Sequence, residues 1–145
     1  MTVKNILSTT EYEKIIFIWE KSVKATHHFL SDDDILEIKA DVIKYLPRLK
    51  VYAYKNANGE MLGFIAIDKN KIEMLFVSPE YFGKGIGGAL VDFALKDMHV
   101  DEVDVNEQNA NAREFYEHMG FKVTARLEKD NEGRAFPLLR MKNNM

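Results

Sequence analysis

The sequence predicts a single domain of mixed α/β (α+β) class, in which a mostly antiparallel sheet is flanked by helices. Apolar residues recur at helical spacing in the N-terminal third of the chain, and the period changes to two from Lys50 onward. A strand-like run from Ile72 to Val77 then leads through a cluster of glycines into a further helical pattern. These observations predict the element order β-α-α-β-β-β-α-β-α-β-β for one domain of residues 1–145.

The first part of the chain is predicted to form one strand and two helices. A short strand covers Thr2 to Leu7, and Thr9 or Thr10 caps the helix that follows. The helical period is lost from Ala25 to Leu30, which indicates a loop. A second helix runs from Ser31 to Pro47 and carries three aspartates in its first turn, where they complement the helix dipole.

A three-stranded antiparallel unit follows. The strands Val51 to Tyr54 and Met61 to Ile67 are joined through Asn58-Gly59, a strong hairpin signal. A second tight turn from Asp68 to Lys71 leads into Ile72 to Val77. The sheet is therefore expected to be antiparallel up to the glycine cluster.

The rest of the chain alternates helices and strands before a last hairpin. Only one connection has to be parallel, the one that runs through the third helix. The predicted segments are a helix from Gly87 to Met98, a strand from Glu102 to Val105, a helix capped by Asn109 or Asn111 and ending at Gly120, and strands from Phe121 to Glu128 and from Phe136 to Met141 around the turn Asn131-Glu132-Gly133.

The amino-acid composition excludes several classes of function and partner. The chain is 46% hydrophobic and 30% charged, as in soluble globular domains, and its net charge of −3 gives no basic surface for nucleic acid or membrane. It contains no cysteine, which excludes disulfides, thiolate nucleophiles and cysteine-ligated metal. The N-terminus is too short and polar for a signal peptide, and no apolar run approaches the ~20 residues of a membrane span. We therefore expect a cytoplasmic protein without metal, nucleic acid or membrane partners.

The glycine cluster predicts an anion site. A strand, a glycine turn and a helix in that order direct several backbone N–H groups and the positive end of the helix dipole at one place, which suits a phosphate or a pyrophosphate. Gly83, Gly85 and Gly88 also satisfy G-x-G-x-x-G, but the Rossmann fingerprint belongs to the first turn of a repeated βαβ array, and here three hairpin-connected strands precede it. The Gly-Lys-Ser or Gly-Lys-Thr of a P-loop is absent. A turn without a ligand is the remaining alternative, which four glycines within six residues disfavour because of the entropy lost on ordering.

Two stretches resemble the signatures of the GCN5-related N-acetyltransferase (GNAT) family. The stretch Val77 to Gly87 (VSPEYFGKGIG) resembles its acetyl-CoA pyrophosphate loop, and Asn109 to Phe121 (NANAREFYEHMGF) resembles its second signature. The predicted element order is also that of the GNAT fold, so the resemblance covers nearly the whole chain. Within the family, Thr26 to Leu30 and Asn106 to Asn109 are most similar to bacterial peptidyl-lysine acetyltransferases.

The resemblance implies an acetyl-CoA-dependent N-acetyltransferase that moves an acetyl group to a primary amine, either a protein lysine or a small amine, by direct attack on the thioester. It also implies that acetyl-CoA is the co-substrate. The chain departs from the family at Phe82, where Arg or Gln is usual, and this departure predicts weaker binding. The residues implied in acetyl-CoA binding are Leu75, Phe76 and Val77 through their main chain, together with Gly83, Lys84, Gly85, Ile86, Gly87, Gly88, Asn109 and Tyr116.

The resemblance assigns Tyr116 as the acid that protonates the departing thiolate, against the plainer reading of a tyrosine on an apolar helix face. Four residues are candidates for the base that takes the amine proton. Glu73 and Asp104 lie on adjacent predicted strands, and His27 and His28 lie in the loop where the family builds its acceptor site. Each also fits an ordinary exposed or paired side chain.

Two other classes of protein stay open at this stage. One is a non-catalytic acyl-CoA-binding module, which the unusual Phe82 suggests, and the other is a protein that binds a nicotinamide dinucleotide. The sequence does not distinguish peptide lysine from polyamine or antibiotic amines as the acceptor. The last hairpin is compatible with a homodimer.

Overall fold

A computed structural model describes residues 5–130 and 132–143. Within them the chain forms seven strands and four α-helices in the predicted order, so the predicted fold class is confirmed. The strands are β1 (Ile6–Ser8), β2 (Lys50–Lys55), β3 (Met61–Asp68), β4 (Lys71–Val77), β5 (Glu102–Asn106), β6 (Phe121–Leu127) and β7 (Leu138–Asn143), and the helices are α1 (Tyr12–Thr26), α2 (Asp32–Tyr45), α3 (Ile86–Lys96) and α4 (Ala110–His118).

The strands form one mixed sheet in the order β1-β2-β3-β4-β5-β7-β6. Every described neighbour pair is antiparallel except β4 and β5, which α3 connects as parallel strands. This is the one parallel connection that the sequence predicts. The middle of the sheet is therefore the place where the strand pairing changes type.

The sheet separates two apolar layers. Alternate residues of β3 point to opposite faces: Ile65 and Ile67 pack toward α3 and α4, whereas Phe64 and Ala66 pack toward α1 and α2. All four side chains are almost fully buried, so β3 is apolar on both faces. Strand β3 is thus buried on both faces, and it pairs along its length with the central strand, β4.

Several predicted boundaries differ from those in the structure. Helix α1 continues through Thr26, so the loop predicted from Ala25 begins two residues later. The cap of α1 is the backbone of Glu11, while Thr9 accepts a hydrogen bond from the N–H of that residue instead of capping the helix directly. Helix α3 begins and ends earlier than predicted, at Ile86 and Lys96.

The first and last strands are shorter than predicted. Strand β1 begins at Ile6, and positions 2–4 of the predicted strand lie outside the described residues. Strand β7 begins at Leu138, two residues later than predicted, because Pro137 has no N–H for the sheet and its carbonyl accepts from Glu107 instead. Asn131 of the predicted turn is also outside the described residues.

Candidate active site

Strands β4 and β5 pair only at their first residues. The register joins Lys71 to Glu102 and Ile72 to Val103 and then stops. At the same point the pairing of β4 with β3 skips Glu73, which is an extra residue in the strand, a β-bulge. A bulge bends the strand that carries it and ends regular pairing. Strand β4 therefore separates from β5 and leaves a wedge-shaped gap in the sheet.

The register shows which main-chain groups of β4 face this gap. The N–H of Ser78 donates to the carbonyl of Leu62 in β3 at 2.8 Å, and hydrogen-bonded pairs alternate along an antiparallel ladder. Phe76 therefore also bonds β3, while the N–H and C=O groups of Leu75 and Val77 point away from β3 into the gap. The geometry fits the main-chain role predicted for Leu75 and Val77. It does not fit that role for Phe76, whose main-chain groups bond β3, so only the side chain of Phe76 is available to the groove.

The glycine turn has the backbone conformation that an anion site needs. Gly83 and Gly85 have φ angles of 76° and 80°, which other residues rarely adopt, and a Cβ on either would enter open space. Gly85 is the N-cap of α3, and no side chain caps the helix. The first N–H groups of α3, from Ile86 onward, therefore lack a side-chain partner, at the positive end of the helix dipole.

The other glycines and the neighbouring residues have different roles. A Cβ on Gly87 would lie 3.5 Å from the ring of Phe115, so this glycine lets α3 and α4 approach each other. Lys84 is exposed and is not among the residues that line the groove. Phe82 lines the groove and keeps 44% of its surface exposed. Below this turn, a groove of about 830 Å³ extends between α1 and α4 along β4.

Tyr116 lies in the wall of this groove. Its side chain is 6% exposed, and its ring packs edge-on against Phe115 and Phe121 with centroid distances of 5.1 and 5.4 Å. No hydrogen-bond partner for its hydroxyl is found among the described residues. Burial raises the pKa of Tyr116 well above its ordinary value, so the hydroxyl keeps its proton at neutral pH. The groove wall therefore carries a protonated hydroxyl among aromatic side chains.

A second cavity of about 300 Å³ lies on the other side of the gap, between α1, α2 and the loop that connects β6 to β7. Its walls are mostly apolar and include Trp19 and Met74, with carboxylates at several positions. His27 and Phe76 line this cavity, the groove and the space between them. The two cavities therefore meet at these two side chains.

The two predicted carboxylate bases differ in environment. Asp104 is 7% exposed and accepts two hydrogen bonds from Arg140, at 3.0 and 3.1 Å, and a salt bridge from Lys71. Burial works against ionisation, but these cations outweigh it and lower the pKa of Asp104. Glu73 is exposed, and it lines the second cavity and the space between that cavity and the groove, but not the groove itself. Desolvation of its carboxyl raises the pKa of Glu73, with the negative charge of Asp104 acting in the same direction.

The two histidines predicted as bases also differ in their environments. His28 is exposed. His27 is half-buried, and its ring nitrogens contact the Thr26 hydroxyl at 2.7 Å and the Asn109 side-chain amide at 3.3 Å. Burial, with a smaller contribution from His28, lowers the pKa of His27 to about 4. Asn109 is also the N-cap of α4, since its side chain accepts from the N–H of Ala112.

Arg134 is a residue of this region that the sequence did not indicate. It is 15% exposed, contacts Asp41 at 2.7 Å and Asp130 at 3.4 Å, and so joins the β6–β7 loop to α2 over the second cavity. Arg134 and Asp41 are 93 residues apart, and no motif or period connects them. Among the described residues, no cluster of three or more acidic or histidine side chains is placed to hold a metal ion.

The uncapped glycine turn and the buried Tyr116 line one groove beside the split in the sheet, an arrangement that suits an acyl donor carrying a diphosphate. The chain belongs to the acetyltransferase (GNAT) domain family, whose sequence profile matches residues 20–144. The predicted family and the predicted enzyme class, an acetyl-CoA-dependent N-acetyltransferase acting on amines, are thereby confirmed.

Comparison with known proteins gives similar relatives over almost the whole length. The chain is 40% identical over 131 residues to the peptidyl-lysine N-acetyltransferase YjaB of Salmonella typhimurium, covering 90% of each protein. It is 37% identical to YjaB of Escherichia coli over 131 residues, covering 90% of this chain and 89% of that one. The solution structure of the apo form of Escherichia coli YjaB superposes with a TM-score of 0.88 at 36% identity, covering 99% of both chains.

A more distant structure shows the same fold. The PaiA N-acetyltransferase of Thermoplasma acidophilum, solved in complex with coenzyme A, has a TM-score of 0.68 at 22% identity and covers 99% of both chains. None of the helices in residues 5–130 and 132–143 has the length and apolar character needed to cross a membrane.

Proposed function

We propose that this protein transfers the acetyl group of acetyl-CoA to the side-chain amine of lysine in peptides or proteins. The observation that carries the proposal is the gap between β4 and β5, where a groove suited to the donor and a cavity suited to the acceptor meet at His27 and Phe76. The choice of lysine is supported by the YjaB relatives, which are named peptidyl-lysine acetyltransferases.

The hydrogen-bonding groups that line the groove match the chemical groups of coenzyme A. The N–H groups at the start of α3 suit a diphosphate, because Gly83 and Gly85 hold the turn open and leave room for close approach. The free main-chain groups of Leu75 and Val77 suit the amides of the pantetheine arm, which would add to β4 as a strand would. Phe82 offers an apolar face where the family has a polar one, so we propose that backbone donors supply most of the affinity.

Acetyl-CoA supplies an acyl thioester whose C–S bond breaks as the C–N bond to the amine forms. The proposed task of Tyr116 is to give its hydroxyl proton to the sulfur that leaves. Because burial raises its pKa, the Tyr116 hydroxyl carries its proton at neutral pH, which is the form that a general acid needs. The N–H of Val77 lies in the gap and is the proposed donor to the thioester carbonyl oxygen.

The amine must lose a proton before it can attack. A lysine amine has a pKa of ~10.4, so only about one in 2,500 is neutral at pH 7. We assign the base role to Glu73, which lines the acceptor cavity and the space that leads from it to the groove and has a raised pKa. Asp104 accepts hydrogen bonds from Arg140 and forms a salt bridge with Lys71, so it is a poor proton acceptor. We propose that it instead stabilises the position of β5.

The acceptor cavity suits an alkyl ammonium. Its apolar walls, including Trp19, Val42 and Met74, can cover a four-carbon stem, and the carboxylates at its edge attract the charged end. The cavity does not by itself separate a lysine side chain from another amine on an alkyl chain. The names of the YjaB relatives, which are peptidyl-lysine N-acetyltransferases, favour lysine.

The test is a turnover assay with purified full-length protein, acetyl-CoA and three acceptors: a lysine-containing peptide, the same peptide with arginine in place of lysine, and a polyamine. We expect release of the CoA thiol with the lysine peptide and not with the arginine peptide, and a mass increase of one acetyl group at the lysine. Turnover with the polyamine alone would overturn the lysine assignment. Binding of acetyl-CoA without thiol release with any amine would favour the non-catalytic acyl-CoA-binding module.

We also propose a cytoplasmic location, as the sequence suggests, and fractionation of the native source would test it. The homodimer through β6 and β7 is kept as a proposal as well, because the outer edge of β6 pairs with no other described strand. Sedimentation at several concentrations would decide its oligomeric state.

A further inference from the structure

The hydrogen bonds around His27 have a fixed direction. The Thr26 hydroxyl donates its single proton to the backbone carbonyl of Ser22 at 2.8 Å, so its contact with Nδ1 of His27 needs a proton from the imidazole. At the other end, Oδ1 of Asn109 accepts from the backbone N–H of Ala112 at 3.1 Å. The amide nitrogen of Asn109 therefore faces Nε2 of His27 and donates to it.

This row of hydrogen bonds ends in a backbone group on each side, the carbonyl of Ser22 and the N–H of Ala112, and neither can change from acceptor to donor or the reverse. A carbonyl only accepts and an N–H only donates, so the network leaves His27 one arrangement: a proton on Nδ1 and a lone pair on Nε2 that is already used. The lowered pKa of His27 agrees with a neutral ring. A nitrogen whose lone pair is occupied is poorly suited to take a proton from the amine.

The hydrogen bond between Asn109 and His27 joins the α1 side of the groove to its α4 side. Thr26 and His27 lie at the C-terminal end of α1, and Asn109 caps α4. Among residues 5–130 and 132–143, this is the one side-chain hydrogen bond between the start of α4 and the α1 side of the groove. Tyr116 is seven residues after Asn109, two helical turns along the same face, or about 10 Å.

We infer that His27 is a positioning residue, not the base: as a fixed Nδ1–H imidazole it ties the end of α1 to the cap of α4 and thereby sets the place of Tyr116 relative to β4. This inference deepens the proposed function, since it concerns the same site. It accounts for a histidine that lines both cavities and their junction while its lone pair is used by Asn109.

The first test measures the tautomer directly. In ¹⁵N-labelled wild-type protein at pH 7, correlation of the ring protons with both ring nitrogens distinguishes the Nδ1–H form from the Nε2–H form and from imidazolium. We expect His27 in the Nδ1–H form, with the exposed His99 as an internal reference. An Nε2–H or doubly protonated ring would overturn the inference. This measurement requires no turnover, so it stands even when the proposed function fails.

The second test separates positioning from proton transfer. His27→Gln places an amide oxygen near the position of Nε2 and retains an acceptor for Asn109, but it takes up no proton near neutral pH. His27→Ala loses both abilities. We expect His27→Ala to lower kcat about tenfold or more, His27→Gln to retain most of the wild-type kcat, and His99→Asn, a distant matched control, to change nothing. Equal losses in the alanine and glutamine variants would overturn the inference, because they would show that an acceptor for Asn109 does not restore activity.

The third test asks whether His27 acts through Tyr116. In a Tyr116→Phe background, the loss caused by His27→Ala should largely disappear, because the group it positions is gone. If the fold-loss of kcat in the double variant equals the product of the two single losses, the residues act independently and the proposed coupling is wrong.

Discussion

Replacement of Tyr116 by phenylalanine isolates the proposed acid from the structure around it. The ring of Tyr116 is buried and packs edge-on against Phe115 and Phe121, and a phenylalanine ring keeps both contacts. Because the hydroxyl has no partner among the described residues, its removal leaves no described donor or acceptor unpaired. The free energy of unfolding should therefore change by less than about 1 kcal/mol.

Turnover should change far more. A general acid contributes roughly 10²- to 10⁴-fold to a rate, and a 10²-fold loss corresponds to about 2.7 kcal/mol of activation free energy. We expect Tyr116→Phe to lower kcat by at least ~10²-fold with the lysine peptide, while the dissociation constant of acetyl-CoA stays within about threefold of wild type. Steady-state thiol release gives kcat, a binding titration gives the affinity, and a thermal melt gives the stability.

Two results would refute this reasoning. An unchanged kcat would remove Tyr116 from proton transfer. A fall in kcat together with a lower melting temperature would show that the hydroxyl supports the fold. His99→Asn is a suitable control, since His99 is exposed, lies before β5 at the far end of the strand from the gap, and already has a left-handed backbone that asparagine tolerates.

Three further predictions follow from the site. Gly85→Ala should cost about 1 to 2 kcal/mol, since its φ of 80° disfavours any side chain, and should weaken acetyl-CoA binding at least ~10-fold in a titration. Glu73→Gln should lower kcat/KM by ~10²-fold and remove the rise of activity that accompanies deprotonation of Glu73. Because the pKa of Glu73 is raised in the folded state, its contribution to stability falls as pH rises through the interval between the ordinary and the raised pKa, and melts at several pH values should show this slope only in wild type. Asp104→Asn should lower the melting temperature while kcat of the folded enzyme stays within about threefold, because Lys71 loses its carboxylate partner and Arg140 keeps only Glu102, at 3.4 Å. The stability due to Asp104 should be present at neutral pH and lost as pH falls, since its pKa is lowered, and a ~10²-fold loss of kcat would instead return it to the base candidates.

Features encoded by neighbouring residues could be predicted from the sequence. The Asn58-Gly59 turn specifies the β2–β3 hairpin, and the glycine turn between β4 and α3 specifies the proposed anion site, because each depends on local backbone preferences. Positive φ at Gly83 and Gly85 is a property of those residues themselves. The element order and the family signatures rest on the same kind of short-range pattern.

The catalytic geometry depends on contacts between distant residues, which no local pattern encodes. The sequence offered Glu73, Asp104, His27 and His28 as candidates for the base. The fold separates them: a bulge brings Glu73 into the gap, and Arg140 of β7 neutralises Asp104.

The His27 and Asn109 pair makes the same point. Each residue could be read from its own segment, as a loop histidine and as a helix cap, but they are 82 positions apart and only the folded chain brings them together. Local backbone preference thus determined the glycine turn and the uncapped helix start that form the proposed anion site. Tertiary packing decided which ionisable groups around it are free to react, because burial and distant charged partners set their protonation.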